Sequence, residues 1–267
     1  MTEQQISLAI WHATYEGYFH YLKDELSTDD NILMVGRFCH GEAIIHGLAR
    51  HRQLQYLPRR LLTEENLIIR DFSNETVLDV ACYYANYPDQ LLGIPLSESC
   101  RAIVGNEWWL KNQKYIQDTD HAGVVPTIYR RPCSISVPDA LKEAIRLNCL
   151  PCLKDELLTE EAFNTFEADD YTALMTAAFR GYLEQVPAPI LSEANLLLSI
   201  KTGSSALRLA AFSGHLDQLL GVELSEKSKP IVGDAWWDKN QKYIAEITNA
   251  KAELKKPKAD DNDIELF

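Results

Sequence analysis

The chain has 267 residues, 46% of them apolar, and a formal net charge of −13. No stretch approaches the roughly 18 to 20 continuous apolar residues of a membrane span, and so acidic a chain argues against a binder of the nucleic-acid backbone. Six cysteines (Cys39, Cys82, Cys100, Cys133, Cys149 and Cys152) lie in apolar-periodic segments without framework spacing, which excludes a disulfide scaffold and suits a reducing compartment.

The N-terminal stretch MTEQQISLAIWHATYEGYF lacks the basic region, the apolar core and the cleavage site of a leader, so a cytoplasmic protein is expected. Residues 37–60 hold Arg37, Arg50, Arg52, Arg59 and Arg60 with His40, His46 and His51, opposed only by Glu42. This local basic patch reads first as the solvated faces of two helices. Its second reading is a site for an anionic ligand or an acidic partner, centred on Arg50, His51, Arg52, Arg59 and Arg60.

At 105–116 the chain reads GNEWWLKNQKYI, and at 233–244 it reads GDAWWDKNQKYI. Four of the five tryptophans sit in these copies. At helical spacing Trp108, Trp109, Asn112, Tyr115 and Ile116 share one arc of about 140°, while the positions that differ between copies fall opposite. Each copy therefore predicts an amphipathic helix, with Trp108 and Trp109, and likewise Trp236 and Trp237, as structural caps over the exposed flank of a repeat array. Gln113 and Lys114, identical to Gln241 and Lys242, face the drifting side and are left to recent duplication.

The duplication extends further. YLKDELSTDDNI at 21–32 answers CLKDELLTEEAF at 152–163, and DQLLGIPLSES at 89–99 answers DQLLGVELSEK at 217–227. A shorter period runs inside each half: an L-[ST]-[ED] signature recurs at Thr63 and Ser97, 34 residues apart, and at Thr159, Ser192 and Ser225, 33 apart. That spacing is typical of helical repeat arrays. Ser or Thr followed by acids predicts an N-cap, hence a short extra helical turn after each repeat. Residues 119–137 contain Gly123, Pro126 and Pro132 without periodicity and are expected to be a linker. Beyond Ala250 the charged, proline-broken segment 251–267 is expected to be a mobile tail.

YTALMTAAFRGYLEQV at 171–186 and SSALRLAAFSGHLDQLL at 204–220 predict a helix, a tight turn and an antiparallel helix. Thr172 and Ser205 fit the N-cap, Gly181 and Gly214 a left-handed C-terminus. TALMTAAFRGY and SALRLAAFSGH resemble the ankyrin-repeat motif T-P-L-H-x-A-A-x-x-G-H. ETVLDVACYYANYPDQLL matches it less well, and EAIIHGLARHRQLQYL and the units opening at Leu8 and Ala140 only weakly. Ala173 and Ala206 replace the motif's proline, Met175 and Arg208 its histidine.

The resemblance implies an all-α, ankyrin-like solenoid of two blocks, each with about three helix-pair repeats and a capping helix. The blocks are expected at 1–118 and 138–250, and the second half could continue the stack by docking on the first lid. The implied function is non-enzymatic binding of a partner protein through the concave face and loop tips. On that face the family pattern places Tyr83, Tyr84, Phe179, Arg180, Phe212 and Ser213, with Asp169, Asp170, Lys201 and Thr202 at the tips. The alternative is an inhibitor or immunity-type protein that blocks a partner enzyme. The tail, with Ile264, Leu266 and Phe267, resembles the secretion signals of bacterial type IV effectors, which would deliver the chain into a host cytosol.

Catalytic signatures are thin. Cys149 and Cys152 form a CxxC at a helix turn without a surrounding βαβ pattern and read as structural. His215 occupies the family's Gly-His turn and reads the same way. No phosphate loop, nucleophile elbow or paired zinc spacing occurs, so no cofactor and no metal are expected.

Overall fold

Threonine and serine start the repeat helices. Thr76, Thr172 and Ser205 each accept a hydrogen bond from the amide three residues on, opening the helices that begin at Val77, at Ala173–Arg180 and at Ala206–Phe212. The left-handed residue expected after the latter two is glycine, Gly181 at φ 76° and Gly214 at φ 78°. The computed structural model describes residues 2–34, 42–84, 88–118, 135–166 and 171–254. Among them every regular element is helical, and the β pairing consists of isolated bridges. The chain is all-α.

It divides into two units, Met1–Ala162 and Phe163–Phe267. In the first, helices Glu3–Glu16 and Ile44–Arg50 and the turn Val77–Asp79, continued as a π-helix over Val80–Tyr84, pack in succession. The π-turn has a cause in the sequence. Between its N-cap Thr76 and Gln90 the third repeat carries one residue more than its counterpart between Ser205 and Gln218, and a wider turn absorbs it.

The second helix of the expected pair is not formed. Its place is taken by single 3₁₀ turns, Leu54–Tyr56 and Arg59–Leu61 in the first unit and Leu183–Gln185 and Ala188–Ile190 in the second, with an extended residue between. Pro58 and Pro187 sit at that break, and a proline there removes a helical amide and biases the preceding residue to extended backbone. The extra turn predicted from L-[ST]-[ED] is present: Asp29–Ile32, Glu64–Leu67 and Glu193–Leu197 follow Thr28, Thr63 and Ser192. In all three the Asn side chain at the third position (Asn31, Asn66, Asn195) closes back on a carbonyl five residues earlier.

Successive repeats are fastened by glutamine. Gln90 accepts from the Leu54 amide at 3.4 Å and donates to the Ala49 carbonyl at 3.3 Å, and Gln53 treats Phe19 and Thr14 alike. In the second unit Gln218 accepts from Leu183 at 3.0 Å and donates to Gly181 at 2.5 Å. Each amide satisfies two backbone groups of the preceding repeat that burial would otherwise strand.

The tryptophan helices, Asn106–Asp118 and Asp234–Leu254, are attached by asparagine. Asn112 accepts from Gly93 at 2.6 Å and donates to Ile94 at 2.9 Å; Asn240 does the same to Gly221 and Val222 at 2.8 and 3.0 Å. Both asparagines are fully buried. Lys111 and Lys239 add ion pairs to Asp89 and Asp217. The copies differ at the indoles: Trp108 and Trp109 are buried, and Trp108 Nε1 donates to Asp89 at 2.9 Å, whereas Trp236 and Trp237 are half-buried. The buried Trp236 Nε1 has no hydrogen-bond partner among the described residues.

The division between units falls after Ala162 rather than in the expected linker at 119–137, of which residues 119–134 lie outside the described set. Helix Val137–Arg146 and the turns Leu150–Cys152 and Asp155–Leu157, which open the second half of the duplication, belong with the first unit. They meet the first repeat: Leu22 and Leu153 form an antiparallel bridge, Gln5 donates to the Asn148 carbonyl at 3.4 Å, and His12 lies 3.6 Å from Glu143. Of the tail expected at 251–267, the described part to Leu254 continues the last helix.

Candidate partner-binding face

In the second unit the first helices of two repeats lie side by side, and each carries an aromatic residue two positions before the turn glycine. Phe179 is 50% exposed and Phe212 85% exposed. Burying such a ring is worth about 1.5–3 kcal/mol, which these two leave unrealised. Arg180 is exposed beside Phe179, and Ser213 beside Phe212 is half-buried. Ahead of the second helix the chain makes a hairpin tip: Ser199 and Ser205 form a bridge, and Ile200 donates to Ser204 at 3.0 Å. Lys201 and Thr202 stand exposed at its end. Asp169 and Asp170 lie outside the described residues.

Tip and helix enclose a recess of about 540 Å³, lined among others by Thr202, Ser204, Arg208, Phe212 and Ile231. Arg208 corresponds to the buried Met175 of the preceding repeat. It is exposed in this recess, which it shares with Ile231 of the turn Lys229–Val232 packed on its own helix, and it stands one helical turn before Phe212. In the sequence Arg208 stands out only as a departure from the ankyrin-like motif.

The first unit repeats the arrangement in part. Tyr83 is 80% exposed. Nothing is described of the Tyr84 side chain. The tip at 70–76 is closed by the same kind of bridge, between Arg70 and Thr76, and carries Phe72, 84% exposed. Phe72 was missed by sequence reasoning; an aromatic between Asp71 and Ser73, in a segment of turn residues, is the signal that could have found it.

Of the basic patch, Arg37 and His40 lie outside the described residues, and Arg50, Arg59 and Arg60 bond within the fold. Arg60 donates to the Ser27 carbonyl at 2.7 Å and Arg59 to Leu92 at 3.2 Å, so the second repeat is tied to both neighbours. Arg50 pairs with Glu42. His51 is half-buried against the Tyr15 ring at 4.9 Å, and burial lowers its pKa. Arg52 adopts a left-handed φ of 58°.

Chemically active groups are equally absorbed. Cys149 and Cys152 are both buried in one 3₁₀ turn, and the hydrogen bond between their thiols, with burial, holds the Cys149 proton firmly in place. His215 lies over Gly181. Among the described residues no group of His, Cys, Asp and Glu is placed to hold a metal ion, and no helix is long and apolar enough to cross a membrane. Neither a protein-family model nor a curated protein matches the chain.

Proposed function

We propose that the chain is a non-enzymatic, ankyrin-like repeat protein that binds a partner protein through the helix ends and hairpin tips that carry Phe179, Phe212, Tyr83 and Phe72. The supporting observation is that Tyr83, Phe179 and Phe212, each seven residues after its helix N-cap, are half to almost fully exposed, and that Phe72 is exposed on a neighbouring hairpin tip. Aromatic residues next to arginine are the usual energetic centres of interfaces. The charges described on the second unit's face, Arg180, Lys201 and Arg208, suit an acidic partner surface rather than a basic one. An inhibitor covering a basic enzyme through this face is therefore the weaker reading.

Capture experiments with Phe179→Ala plus Phe212→Ala test the reading. The double variant should keep its melting curve and lose a partner retained by the unchanged chain, with each ring worth about 2 kcal/mol of binding or more. Loss of the fold would show the rings to be core, and retained capture would move the site elsewhere. Delivery as an effector rests on the tail alone; equal translocation of a reporter fusion with and without residues 251–267 would remove it.

A further inference from the structure

The contact between the first repeat and residues 136–162 has a symmetry that its sequence explains. Leu-Lys-Asp-Glu-Leu occurs at 22–26 and again at 153–157. The Lys23 amide donates to the Cys152 carbonyl at 2.9 Å, and the Lys154 amide to the Tyr21 carbonyl at 2.9 Å. Between these two bonds sits the antiparallel pair Leu22 and Leu153, both buried. Outside them the charges cross: Lys23 Nζ lies 2.8 Å from Asp155, and Lys154 Nζ 2.9 Å from Asp24. The environments match too, with the two lysines 26% and 27% exposed. Exchanging 22 with 153 maps every one of these contacts onto another, which is the isologous relation of a two-fold dimer interface.

The other repeats cannot make this joint. At the position of Lys23 and Lys154 the second and fifth repeats carry Pro58 and Pro187, in nearly the same backbone conformation but without an amide hydrogen. In the third and sixth repeats the corresponding amides, of Leu92 and Leu220, are taken by Asp89 and Asp217 within their own turns. The unblocked edge is confined to the first repeat of each half.

We propose that the Leu-Lys-Asp-Glu-Leu edge is a self-complementary docking surface whose partner is a second copy of itself, so that the two halves of this chain associate as a pair without the peptide that joins them. Halves drawn from different molecules are then interchangeable.

The test places a protease site between Asp118 and Ser136 of the full chain and cleaves the folded protein. The two fragments should elute together, and mixing with a cleaved, fluorescently labelled preparation should yield hybrid pairs. Lys23→Asp with Lys154→Asp turns both attractions into repulsions and should weaken the cleaved pair about tenfold in a dilution series. Adding Asp24→Lys and Asp155→Lys rematches the charges and should restore it, which separates loss of docking from loss of folding. Fragments that part at micromolar concentration overturn the proposal. So does a pair that ignores the charge reversal, or one that the rematched variant leaves weak.

Discussion

The imidazole of His215 lies so close to Gly181 that a methyl group on that glycine would sit 2.7 Å from the ring. Gly181 also holds φ at 76°, where a side chain is strained, and Gly214 holds φ at 78° with open space around it. The two positions separate backbone strain from crowding. Gly214→Ala should cost about 1–2 kcal/mol from the left-handed backbone alone. Gly181→Ala should cost more, by about 1–3 kcal/mol, because the ring must move. Urea titrations of both, and of Gly181→Ala in a His215→Ala background, measure the difference; equal losses at the two glycines would refute it.

Asn112 and Asn240 predict a matched pair of effects. Alanine at either position strands a glycine amide and the next carbonyl beneath the tryptophan helix, a loss of about 2–4 kcal/mol. Asp at the same positions keeps the acceptor and loses the donor, so it should recover part of the stability. Thermal melts of the four variants give the answer, and a neutral Asn112→Ala would show that the clamp does not hold the cap.

The indoles should not be equivalent. Trp108→Ala removes a buried ring with a satisfied Nε1 and should cost about 3–5 kcal/mol. Trp236→Ala acts on a half-buried ring and should cost clearly less. A larger loss at Trp236, measured by denaturant unfolding, would reverse the ranking.

Acid should loosen the first unit. Burial, helped by Lys154, pushes the His20 pKa down to about 4 from 6.5, and the ring stacks on Tyr56 at 4.6 Å. Burial also lowers the pKa of His51. Because the folded value lies below the unfolded one, the stability linked to His20 is complete above pH 6.5 and is lost as pH falls toward 4. The unfolding midpoint should drop across that window, and His20→Gln should flatten the drop. An unchanged slope in His20→Gln would assign the acid sensitivity elsewhere.

The parts that sequence made legible are those governed by local chemistry. N-caps at Thr172 and Ser205, left-handed glycines and the turn after each L-[ST]-[ED] depend on one side chain and its own backbone. The second helix of each pair was not legible because periodicity weighs apolar spacing and is blind to the extended break between two turns; Pro58 and Pro187 signal that break in two repeats, but Lys23 and Lys154 hold the same backbone without a proline. The buried clamps of Gln90, Gln218, Asn112 and Asn240 were hidden for another reason. Their partners lie 18 to 41 residues away, and an amide in a helical pattern looks the same whether it meets water or a neighbouring turn. For the candidate face, the positions of Phe179 and Phe212 were readable from the turn glycine, but their exposure was not. It depends on what the following repeat covers.

The glutamine clamps give the array a direction. Gln53, Gln90 and Gln218 each serve backbone groups of the repeat before them, and none of these bonds runs the other way. Removing repeats from the C-terminal side therefore uncovers amides and carbonyls that were paired, and the damage passes backward to a repeat that was not cut. Removing them from the N-terminal side leaves a glutamine that water can serve. The glutamines alone would make the C-terminal side of each unit the less tolerant of shortening; Arg59, Glu64 and Glu193 run against them, since they serve the Leu92 carbonyl and the Ser97 and Ser225 amides of the repeat that follows.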